Sequence, residues 1–109
     1  MSYVARLEKI CLRFRQGVIC PAEFWNLVVG VIYEQPVIMT LTALPSSLQE
    51  ELRAIYAERP GSLMTLDDKH PIRSGWQEMS KEFGSLYAPT YELETRRLID
   101  DWLKSSIQQ

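Results

Sequence analysis

The sequence predicts an all-α fold: a compact bundle of four main helices at about residues 3–16, 21–34, 47–58 and 90–105, with one or two short helices and a long 60–74 loop. Three observations predict it. Apolar residues recur at spacings of three and four in each main segment. Start and stop residues bracket the segments, with Ser2 and Pro21 at beginnings and Gly17 and Pro60-Gly61 at ends. No two segments read convincingly as strands, and a lone strand would leave its backbone groups unsatisfied.

Segment 3–16 places Tyr3, Leu7, Ile10 and Phe14 at helical spacing, with Val4 and Cys11 beside them. Ser2 suits the N-cap, where a hydroxyl accepts an orphan backbone N–H. Gly17 suits a left-handed stop. Arg6, Lys9 and Arg13 occupy the opposite face.

Segment 21–34 begins with Pro21, whose missing N–H costs nothing at the first helical position. Phe24, Leu27, Val28, Val31 and Ile32 form a broad apolar stripe that Trp25 and Val29 widen. Glu23, Asn26, Gly30 and Glu34 make a narrow polar strip, expected to be the solvent edge of the bundle's central helix. A membrane span is not expected. It needs about 20 continuous apolar residues, and Pro21, Glu23, Asn26, Glu34 and Pro36 break this run too early.

Residues 37–44, VIMTLTAL, suit either a strand (Val37, Met39, Leu41) or a short helix after Pro36 (Ile38, Leu41, Thr42). The helix is preferred because a strand would have no partner. Ser47 and Glu50 have capping-box spacing, and Leu48, Leu52, Ile55 and Tyr56 make the next buried stripe, with Glu51 facing out. In the 60–74 stretch, Leu63, Met64 and Leu66 are expected to pin an irregular segment to the core. Ser74 and Gln77 repeat the capping-box spacing ahead of a short helix carrying Trp76, Met79 and Phe83. The last helix has an expected inner face of Tyr91, Leu98, Ile99, Trp102 and Leu103. Glu92, Arg96, Asp100 and Lys104, each four apart, read as an outer ladder of ion pairs.

The 109 residues are the length of one domain, 1–109, which can bury about two thirds of its unfolded surface in a single core. The net charge of -2 argues against a general binder of nucleic acid or anionic membrane. The charge is uneven. Arg6, Lys9, Arg13 and Arg15 against Glu8 give the first 20 residues +3, so the remainder carries -5. Charges stand where a secretion signal needs its apolar core, so a cytoplasmic location is expected, with Cys11 and Cys20 as free thiols.

Few residues suggest chemistry. Asp67, Asp68 and His70 are metal-ligand types in one loop, but His70 is the chain's lone histidine, and an Asx turn explains the aspartates. Cys20 sits at a helix start, where a thiol can be activated, yet only His70 could serve it as a base. Glu23 could do proton chemistry if its strip faced a pocket. No glycine-rich phosphate loop is present. No cofactor or metal is therefore expected. The leading expectation is a non-enzymatic module that binds another protein, in one variant an inhibitor- or immunity-like protein. Its candidate contact residues are Arg6, Arg13, Asp67, Asp68, His70 and Trp76. The alternatives are a small enzyme or ligand binder with a pocket beside helix 21–34, and a weak nucleic-acid binder using the basic face of helix 3–16. A homodimer is also considered, to cover the apolar surface of helix 21–34.

Overall fold

Ser2 opens the first helix as its residue type dictates. Its hydroxyl accepts the Ala5 N–H at 3.2 Å, and α1 then runs Tyr3–Arg15. Gly17 ends the helix at φ +76, a left-handed conformation that costs glycine little. The computed structural model describes residues 2–33, 35–59, 62–64, 81 and 93–107. Among them it is all helical: α2 is Pro21–Ile32, α3 Val37–Thr42, α4 Ser46–Glu58 and α5 Leu93–Ile107, with a 3-10 turn at Ser62–Met64. The short helix expected around 74–83 lies outside the described residues except for Lys81, which is helical.

Helix α2 is the centre of the molecule. It packs against α1 and the 3-10 turn, while α5 packs against α3, α4 and the turn. Phe24, Trp25, Leu27, Val28, Val29, Val31 and Ile32 are all buried. One chain therefore covers them, and the homodimer considered for that purpose is not needed to do so. The expected solvent edge of α2 is also absent: Glu23 is 3% exposed, Gly30 is buried and Asn26 is half-buried. A helix surrounded on all sides has no edge left for water, so its polar residues must find partners inside. Glu23 finds one by accepting the Cys20 N–H at 2.9 Å, which caps α2.

Aromatic rings link the helices. Phe14 of α1 lies 5.0 Å from Phe24, Phe24 lies 4.7 Å from Trp25, and Trp25 lies 6.3 Å edge-on from Tyr56 of α4. Offset and edge-on geometries suit the ring quadrupoles.

Two expected features are corrected. Ser47 does not cap α4. The helix starts one residue earlier, behind Pro45, with no side-chain cap. Gln49 ties this junction instead, donating from Nε2 to the carbonyls of Leu44 at 2.8 Å and Thr42 at 3.2 Å. The ladder of α5 does not face water. Arg96 and Asp100 are buried, whereas Leu98, expected inside, is 38% exposed. Arg96 donates from Nη2 to Asn26 Oδ1 and from Nη1 to the Leu63 carbonyl at 2.8 Å. It thus joins α5 to the central helix and to the 3-10 turn. Asp100 accepts the Tyr56 hydroxyl. Of the expected ladder, the Asp100–Lys104 pair forms at 2.9 Å.

Candidate functional site

Once α2 and α5 have turned their polar groups inward, the groove between α1 and α4 stands out on the surface. Glu8, Cys11, Leu12 and Arg15 stand at intervals that put them on one side of α1. Ser47, Leu48 and Glu51 face them from α4, and together they line a cleft of about 300 Å³. Cys11 and Leu48 are buried and form the apolar floor. Leu12 stands at the mouth with 55% of its surface exposed.

Arg15 bolts the two helices together at one end. Its Nε donates to Glu51 Oε1 at 2.7 Å, and its Nη1 donates to Glu58 Oε2 at 2.9 Å and Oε1 at 3.1 Å. Planar guanidinium suits such divided bonding to carboxylates. At the other end Glu8 is exposed and makes no ion pair with a described residue. The charged residues lining the groove are therefore Glu8 and Glu51 against Arg15.

The thiol on the floor reports this environment. Burial first, and then the carboxylate of Glu51, push Cys11 up from 9.0 to about 12, with Glu8 adding to the rise and Arg15 opposing it. A thiol held protonated is not a nucleophile. Cys20, considered for that role, is half-buried at the N-cap of α2, within its capping box, and neither it nor Cys11 forms a disulfide.

Two other surface features concern α3 and Trp102. Ile38 and Met39 are exposed on α3, Met39 at 71%. Trp102 is half-buried beneath the Arg53 guanidinium, which stands 4.7 Å from its ring centre, a cation–π contact.

Of the residues expected to contact a partner, Arg6 and Arg13 are half-buried on α1, on the far side of its core face from the groove. Asp67, Asp68, His70 and Trp76 lie outside the described residues. Among the described residues, no three His, Cys, Asp or Glu side chains are grouped so as to hold a metal ion, and no helix is long and apolar enough to cross a membrane. The sequence pattern places Glu51 outward and gives no sign that α1 and α4 face each other across a groove. The usable signal was Leu12 itself, an aliphatic residue outside the apolar stripe of α1. Compared with protein-family models, curated proteins and solved structures, the chain matches none.

Proposed function

We propose that this protein is a non-enzymatic interaction module that docks another protein in the groove between α1 and α4. The observation that carries the reading is the cleft as a whole: an apolar floor of Cys11 and Leu48, Leu12 exposed at its mouth and charged residues on its rims. Such a centre-and-rim arrangement is how protein interfaces are built. The side chain that the sequence offers for proton chemistry supports the same reading: Glu23 accepts the Cys20 N–H that caps α2.

Affinity capture from nuclease-treated lysate of the source organism tests it, with tagged wild type and Leu12→Asp side by side. The expected result is a stoichiometric protein partner that the variant fails to retain. Retention of no protein by the wild type overturns the module reading. Equal retention by both chains moves the docking surface elsewhere.

A further inference from the structure

We infer that the occupant of the α1/α4 groove is a basic amphipathic helix of another protein, with apolar side chains seated on Leu12 and Leu48 and lysine or arginine residues set against Glu8 and Glu51. The inference rests on the module reading above and adds the chemistry of the partner.

Charge complementarity selects the sign. Two carboxylates, Glu8 and Glu51, line the cleft, and Arg15, the cation in that lining, already gives its Nε to Glu51 and its Nη1 to Glu58 beyond the cleft. Glu8, with no ion pair among the described residues, is open to an incoming cation. Arg6 and Arg13 sit on the other side of α1 from the groove. An acidic segment would meet like charge on both walls, which disfavours its association.

Shape selects the helix. The α1 wall extends from Glu8 to Arg15, about 10 Å at the rise of an α-helix. That matches two turns of a partner presenting anchors at i, i+3 or i+4, and i+7. Long basic side chains suit the site doubly, because their aliphatic stems can lie on Leu12 while their heads reach the rim.

Selection from a phage-displayed library of random 16-residue peptides against the full chain tests this. Leu12→Asp and Glu8→Lys serve as counter-targets. Both positions are exposed, so both variants should fold, which their melting curves check. The expected result is enrichment of peptides with Leu, Ile or Phe at helical spacing and a net positive charge. Their affinity should fall about tenfold on Glu8→Lys, since one surface attraction becomes a repulsion, and should weaken as salt is added. Enriched peptides that are acidic or uncharged overturn the inference. So do basic peptides that bind both variants as well as wild type, and so does the absence of enrichment. Peptides that bind elsewhere would leave the module reading standing while this inference fails.

Discussion

The Tyr56 hydroxyl donates to Asp100 Oδ1 at 2.7 Å, across 44 residues of sequence and wholly inside the protein. The contact extends the aromatic chain that begins at Phe14 and passes through Phe24 and Trp25. One connected path therefore crosses α1, α2, α4 and α5. It ends at Lys104, which pairs with the other oxygen of Asp100.

Replacing Tyr56 with Phe removes the donor and keeps the ring. The buried Asp100 carboxylate then loses its hydroxyl partner, at a cost of about 1–2 kcal/mol. In a domain of this size the melting temperature should fall by roughly 5–10 °C. Circular dichroism melts of wild type and Tyr56→Phe check this, with unchanged native spectra expected.

Alkali should weaken the fold. Burial, and then the hydrogen bond to Asp100, raise Tyr56 from 10.0 to about 12, and burial raises Cys11 from 9.0 to about 12. Both groups are neutral when protonated, and the fold favours that form. Between the ordinary and the raised value the unfolded chain holds fewer protons than the folded one, so stability falls as pH rises. Their contribution is complete below pH 9 and is lost progressively between pH 9 and about 12. The urea midpoint should decline over that window. Tyr56→Phe should decline less steeply above pH 10, because only the tyrosine's share is removed.

Gly17 holds φ +76 with open space where a Cβ would stand. An alanine there meets no neighbour but must adopt a left-handed backbone. Gly17→Ala should cost about 1 kcal/mol, and Gly17→Asn less, because asparagine tolerates that region better. Chemical denaturation of the two variants tests the order. Equal stability of wild type and Gly17→Ala would mean that α1 ends differently.

The fold was largely legible because helix boundaries are local. Ser2, Gly17 and Pro21 do what their chemistry requires within a few residues of themselves, and the stripes of α1, α2 and α4 are nearly all buried where periodicity places them. Periodicity failed on α5. Arg96, Asp100 and Lys104 fit a solvated i,i+4 ladder as well as any sequence could, but the partner that decides the matter for Arg96 is Asn26, 70 residues away. The strip of Glu23 and Asn26 on α2 was misread for the matching reason. The sequence identified α2 as central, and a central helix turns every face to a neighbour. The groove was hidden because it belongs to two helices at once, whose shared core and the pairing of Arg15 with Glu51 and Glu58 join residues more than 30 apart in sequence.

The account turns on which face α5 buries, since that leaves the α1/α4 groove rather than α5 as the candidate surface. Arg96 is 1% exposed and its neighbour Arg97 is exposed, so the two arginines separate the possibilities in one experiment. Thermal melts of Arg96→Leu and Arg97→Leu should differ sharply. Loss of Arg96 strands Asn26 and the Leu63 carbonyl and should cost about 2–4 kcal/mol, roughly 10 °C or more, while loss of Arg97 should change little. Indistinguishable melts, or a larger loss for Arg97→Leu, would contradict the inward orientation of α5.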